Sequence, residues 1–224
     1  MVSRAEVSTA VAVWVAQAIV SKLQGNRTLS GICDAVVARN AVCEAVFAQF
    51  SPLVPPDSDL ACREGCGHCC EAMIQTRPLE AIFAAAHAQL TLSAESLQEI
   101  RQRVARQRLP CPFLSESRCS IYTARLNVCR QYYSLDLSEC LNGVYCQRDL
   151  KSDDKQTIRH QSHLREVVYA AATQGEDEAC RLLRLQNGAL LLDNVLRVLY
   201  SQPSAVERWL SGEEIFSTGT DAMT

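Results

Sequence analysis

The sequence has no GxxxxGK[ST] phosphate loop, no GxGxxG dinucleotide fingerprint and no Ser-His-Asp set. No nucleotide-dependent or serine-hydrolase chemistry is therefore read from it. It also lacks a charge excess: 22 Lys and Arg face 25 Asp and Glu, for a formal net charge of −3. A chain without a basic bias is not expected to hold nucleic acid, and no acidic tail points to a basic partner. Repeats and low-complexity segments are absent. The apolar run 11–20 is shorter than the roughly 20 residues that cross a bilayer. Glu6 ahead of it and Gln17 inside it break a signal-peptide pattern, so a buried helix is expected and no membrane.

Cysteine is what the chain has in excess, with 12 in 224 residues. Disulfide-framed secreted domains reach such density in far shorter chains. Nine of the cysteines lie between Cys62 and Cys146, and Cys69 and Cys70 are adjacent. Tight C-x3-C and C-x2-C intervals suit thiolates converging on one centre better than long bridges. A reducing, cytoplasmic location follows as an expectation.

Hydrophobic residues make up 48% of the chain, enough for a core without a general staple. The expected fold is mainly α: a helical domain with an irregular cysteine-rich region and one short β-hairpin. Residues 1–50 read as a helical hairpin, Arg4 to Leu23 and then Thr28 or Ser30 to Phe50, with Gly25-Asn26 closing the first helix. Pro52, Pro55 and Pro56 mark an extended linker. Residues 60–150 form the cysteine region, with helices expected over 78–90 and 93–108, a loop or hairpin over 111–122, and one or two turns over 123–133. In residues 151–224 the expected helices cover 163–173 and 176–200, with Asn187-Gly188 able to split the second, and a short helix after Pro203. The three stretches are expected to make one compact domain.

The chemistry centres on Cys62, Cys66, Cys69 and Cys70, four thiols in nine residues with Gly65 and Gly67 among them. Thiolate is the soft ligand that zinc and iron–sulfur clusters take. Cys111, Cys119 and Cys129 are spaced to bring further ligands to the same centre, and Cys140 and Cys146 make a looser pair. His68 sits between ligands and is a candidate ligand or a hydrogen-bond partner to sulfur. His87, His160 and His163 read as surface or capping residues. Arg130 and Tyr132 follow a ligand position. The guanidinium can offset thiolate charge and hold an anionic substrate, or pair with Glu80 or Asp136. Arg101, Arg103, Arg106 and Arg108 spread over a solvated face. Cys33, Cys43 and Cys180 read as packing residues.

The ordered series C-x3-C-x2-C-C, Pro-x-Glu at Pro78 to Glu80, Cys-Pro-Phe-Leu from Cys111, Cys-x-Ile-Tyr from Cys119 and Cys-Arg-x-Tyr from Cys129 resembles the YkgJ-type cysteine-cluster family. That resemblance implies a zinc- or iron-chelating domain over about a third of the chain. The family usually has Arg-Pro before the last cysteine. Here Leu126 follows Arg125, which implies a looser turn. Flagellin lysine N-methylases are similar in the cysteine pattern and imply an iron–sulfur cluster.

Zinc sites take four ligands in two close pairs, whereas C-x3-C-x2-C is a way of holding three irons of a cubane. Radical S-adenosylmethionine enzymes share that run, but their barrel needs alternating strands that this sequence does not supply. The expected cofactor is a [4Fe-4S] iron–sulfur cluster, with zinc as the alternative. The fourth ligand among Cys70, Cys111, Cys119 and Cys129 stays open, as does a second centre. The role is redox, cluster-carrying or enzyme-accessory, against a zinc-stabilised interaction module or a methylase-like enzyme. The partner, if any, is a protein.

Overall fold

The computed structural model describes residues 2–57, 61–62, 65–106, 110–134, 137–142 and 156–217. Helix α1 (Arg4–Leu23) begins where the Ser3 side chain accepts from the Glu6 N–H, and α2 (Leu29–Phe50) begins where Thr28 accepts from the Gly31 N–H. Each cap satisfies an amide that the helix itself leaves without a partner. Val7, Val11, Val15 and Ile19 recur every four residues on α1 and are buried. By length and composition α1 is a helix that could cross a membrane, although the apolar run 11–20 alone is too short; here that stripe lies in the protein core. The Gly25-Asn26 turn differs from the left-handed cap expected of it. Gln24 closes α1 in a right-handed conformation, and the Asn26 carboxamide accepts from the Thr28 hydroxyl instead.

The broadest packing of α1 is on α7 (Gln161–Leu183), with α2 alongside both. A break was expected between residues 173 and 176, yet α7 runs through as one helix. Gly175 lies inside it, facing α1. A Cβ there would lie 2.5 Å from the Ala12 carbonyl oxygen and 2.8 Å from Val15 Cβ. The glycine therefore serves close helix approach rather than a turn. The expected split near Asn187-Gly188 is present: Arg184 is left-handed at φ 56, Gly188 has φ 129, and the chain enters β6 (Leu190–Leu191) and α8 (Leu192–Ser201). Arg27, in the α1–α2 turn, donates to the Leu183 carbonyl at 2.8 Å and to the Leu210 carbonyl at 2.7 Å. It thereby caps the C-terminal ends of α7 and of α9 (Ala205–Leu210).

Three antiparallel two-residue ladders tie distant segments together. β1 (Val2–Ser3) pairs with β5 (Thr157–Ile158), and β2 (Gln75–Thr76) pairs with β6. The expected hairpin is β3 (Leu114–Ser115) with β4 (Arg118–Cys119). Helices α3 (Pro78–Thr91) and α4 (Ala94–Arg106) both pack on α8 and carry the cysteine region against the core. Short helices α5 (Asn127–Gln131) and α6 (Leu137–Leu141) complete it.

Candidate metal centre

The cysteine knuckle is shaped by its glycines. Gly65 has φ +85, a left-handed conformation that favours glycine, and Gly67 lies where a Cβ would meet the Ser117 carbonyl at 2.6 Å. Between Gly67 and Ala72 the chain makes a tight 3-10 turn over His68–Glu71, with the Cys70 N–H on the Gly67 carbonyl. The Cys111 N–H then donates to the Cys70 carbonyl at 2.7 Å, which joins the hairpin segment to the knuckle. The hairpin turns on Glu116 and Ser117, both left-handed at φ 47 and 63. That is the pattern of a two-residue hairpin turn usually built from Asn and Gly, so the sequence carried no turn signal there. Arg103, expected on a solvated face, donates to the Pro112 and Leu114 carbonyls and holds the hairpin against α4.

Seven thiols expected as ligands are brought to one region by this arrangement. Cys66, Cys69, Cys70, Cys111, Cys119 and Cys129 line an inner cavity of about 40 Å³ whose other walls include Phe113, Ile121 and Leu192. Cys62 lines an adjoining cleft of about 350 Å³ together with Cys66, Cys69, Cys129 and Cys140. Cys66, Cys69 and Cys129 thus face both spaces. Cys140 on α6 was read only as part of a loose pair, and the structure brings it to the same cleft. Its pair mate Cys146 lies outside the described residues. His68 is exposed and lines neither space. Cys43 and Cys180 are fully buried in the helical core away from both, as packing residues, while Cys33 is half-buried.

The thiols crowd one another. A hydrogen bond to Cys111, together with burial, pushes Cys70 up to about 12. The hydrogen bond to Cys70 and then burial push Cys69 up, and burial followed by the nearby Cys69, Cys119 and Cys70 pushes Cys129 up. Cys62 is pushed up to about 11, mainly by burial, against the Ser134 N–H that donates to its sulfur at 3.0 Å. The Ile121 N–H donates likewise to the Cys119 sulfur. The described cysteines are free, and Cys69, Cys70 and Cys111 are joined in series by thiol hydrogen bonds. Among the described residues no group of three or more His, Cys, Asp or Glu is drawn up around a point that could hold a metal ion. The donor set nonetheless fits a soft metal. Bound cations deprotonate coordinating thiols outright, which turns mutual repulsion among the sulfurs into ligation.

Two arginines flank the thiols. Arg125 lies over the Tyr122 ring at 3.7 Å and favours the charged forms of Cys69 and Cys119. Arg130 was expected to pair with Glu80 or Asp136. It does not pair with Glu80: its guanidinium donates to the carbonyls of Arg125 at 3.0 Å and Thr123 at 2.7 Å. Asp136 lies outside the described residues. Tyr132 borders the cleft and is 39% exposed. Leu126 has φ −63 and ψ 157, the backbone that proline would fix, so the turn before Cys129 is not loosened by the loss of proline.

Glu80 stands in the first turn of α3 and is buried in an ion cluster, accepting from Arg39 at 2.7 Å and from the Asn127 N–H at 2.9 Å. Arg39 also donates to Glu176 at 2.8 Å. Residues on α2, α3 and α7 make this cluster, and no local spacing announces it. His163 is likewise buried rather than exposed, while His160 does cap α7 by accepting from the His163 N–H.

Neither a search of curated proteins nor one of solved structures returned a match. Residues 61–147, holding all the thiols of the site, match the CxxCxxCC family, described as a zinc- or iron-chelating domain, which is the cysteine-cluster family that the motifs resemble.

Proposed function

We propose that this chain holds a [4Fe-4S] cluster through cysteine thiolates and serves electron transfer, cluster transfer or a partner enzyme. One observation carries the reading. More thiols than the four of a zinc tetrahedron gather on two adjoining cavities, with Cys66, Cys69 and Cys129 common to both. Cys62, Cys66 and Cys69 would supply the run that holds three irons, and the fourth thiolate would come from Cys70, Cys111, Cys119 or Cys129. Amide donors to the sulfurs of Cys62 and Cys119 are of the kind that tune cluster potential. When bound, the cluster would supply one-electron chemistry. The protein's own residues fix the sulfurs, exclude water along the Phe113, Ile121 and Leu192 side, and offset negative charge through Arg125 and Arg130.

A single zinc ion is the second reading, favoured by the small inner cavity of about 40 Å³, room for only a few waters. Anaerobic purification followed by iron, zinc and acid-labile sulfide analysis separates the two. Four irons with four sulfides and a brown absorbance are expected. Colourless protein with stoichiometric zinc selects the second reading, and metal-free folded protein overturns both.

A further inference from the structure

The cleft beside the thiols has a second chemistry. Arg125, Arg130 and Arg165 all line it, together with Phe47, Tyr122 and Tyr132. Among the described residues none of the three guanidiniums is paired with a carboxylate. Arg125 donates to the Tyr122 carbonyl and lies over that ring, Arg130 is held by two carbonyls, and Arg165 lies 4.4 Å over the Phe47 ring. The acid that borders the cleft, Asp57, is already engaged. Its oxygens accept from the Ser162 N–H at 2.9 Å and from the Ser162 hydroxyl at 2.6 Å, and it lies 3.0 Å from His160 Nδ1. It therefore caps the start of α7, and among the described residues it makes no ion pair with the three arginines.

Charge compensation of the thiols accounts for part of this set. Arg125 bears on Cys69 and Cys119, and Arg130 on Cys119. It leaves Arg165 unexplained, since that residue stands on α7 over Phe47 and bears on none of these thiol shifts. Guanidiniums that stack on rings keep their N–H edges available for a planar or tetrahedral oxyanion. A volume of about 350 Å³ falls within the range of small-molecule sites.

We infer that this cleft binds an organic oxyanion, a carboxylate or phosphate carried on an aromatic or apolar body, with Arg165 as its principal charge contact. Arg130 and Arg125 face the same charge from the thiol side, and Phe47 and Tyr132 receive the body. The inference goes beyond the metal reading: the cleft shares Cys62, Cys66, Cys69 and Cys129 with the proposed metal site, and the anion is assigned to its Arg165 and Phe47 side.

Calorimetric titration of the protein as purified tests it, using phenyl phosphate, benzoate and inorganic phosphate as separate probes. Saturable one-to-one binding of phenyl phosphate or benzoate is expected, at least tenfold tighter than inorganic phosphate; which of the two binds more tightly assigns the headgroup. Arg165→Gln should weaken it roughly tenfold, the scale of one charge-assisted hydrogen bond, while Arg165→Lys retains part of it and Arg101→Gln changes nothing. Unaltered melting and metal content in Arg165→Gln confirm that only the cleft was changed. Absence of saturable binding by both organic probes, or equal affinity in Arg165→Gln and the parent protein, overturns the inference. Metal analysis of the same samples keeps the two readings apart. Metal without anion binding removes this one alone, and anion binding without metal removes the other.

Discussion

The Glu80 carboxylate accepts from the main-chain N–H of Asn127, 47 residues away, at 2.9 Å. Asn127 opens α5, the helix that carries Cys129, so a side chain on α3 supplies the acceptor that the first amide of α5 lacks. The same carboxylate holds Arg39 on α2 and the Thr76 hydroxyl. The Pro-x-Glu of the cysteine-family pattern is thereby a fastening between the helical core and a thiol-bearing helix.

Replacing Glu80 with Ala should therefore act in two places. Breaking a buried ion pair on one side costs about 3–5 kcal/mol, and the expected loss in urea unfolding is of that order. Metal retention should fall as well, because α5 loses its anchor. Glu80→Gln keeps an acceptor for Asn127 and is expected to retain more metal than Glu80→Ala. Equal metal content in both variants would contradict the anchoring role.

Glu176 shares Arg39 with Glu80, and one guanidinium cannot balance two buried carboxylates. Burial, then the neighbouring Glu80, pushes Glu176 up to about 8 from 4.5. Between those values the unfolded chain has released this proton and the folded chain keeps it. The folded state binds more protons there, so this group's contribution to stability is full below 4.5 and declines as pH rises toward 8. Glu176→Gln should flatten that decline. Urea midpoints from pH 5 to 8.5 measure it, and parallel slopes in the two proteins would refute the assignment.

Cys66 faces both the inner cavity and the cleft. Cys66→Ser is expected to abolish metal binding and to render the chain near Cys111 protease-sensitive, while far-UV helicity largely survives. Cys180 is buried in the helical core, and Cys180→Ser should leave metal content intact. Chelator stripping of the parent protein should reproduce the Cys66→Ser proteolysis pattern, since ordering of such loops is coupled to the metal.

Gly175→Val sets a branched side chain against the Ala12 carbonyl and Val15, with its Cβ 2.5 and 2.8 Å from them. Overpacking of this kind costs about 1–3 kcal/mol, occasionally more. Thermal denaturation followed by circular dichroism should show the drop, with α1 and α7 forced apart.

The helices were legible in the sequence wherever a periodic stripe met a capping residue, as at Thr28 and along Val7 to Ile19. The continuity of α7 through Gly175 was not legible, because only the facing helix shows that the glycine serves close approach. Residues 111–122 read as a loop or hairpin, because Glu116-Ser117 carries no turn chemistry to decide between them. At the site, the thiols expected as ligands do gather, because cysteine clustering is a local signal. Arg39, Glu176 and Arg165 were invisible as site neighbours: each is an ordinary charged residue on a helix until the fold brings it to its counterpart.

The ladder between β2 and β6, and the Leu192 N–H on the Ile74 carbonyl at 2.9 Å, have a consequence for how the site is made. Leu192 walls the inner cavity, yet it lies far downstream of residues 61–147. On the ribosome the cysteines emerge well before the strand that closes over them. Until then the inner cavity lacks its Leu192 wall and the pairing of β2 with β6 that holds the segment there. A fragment cut at the edges of the cysteine region would remain in that unfinished condition permanently.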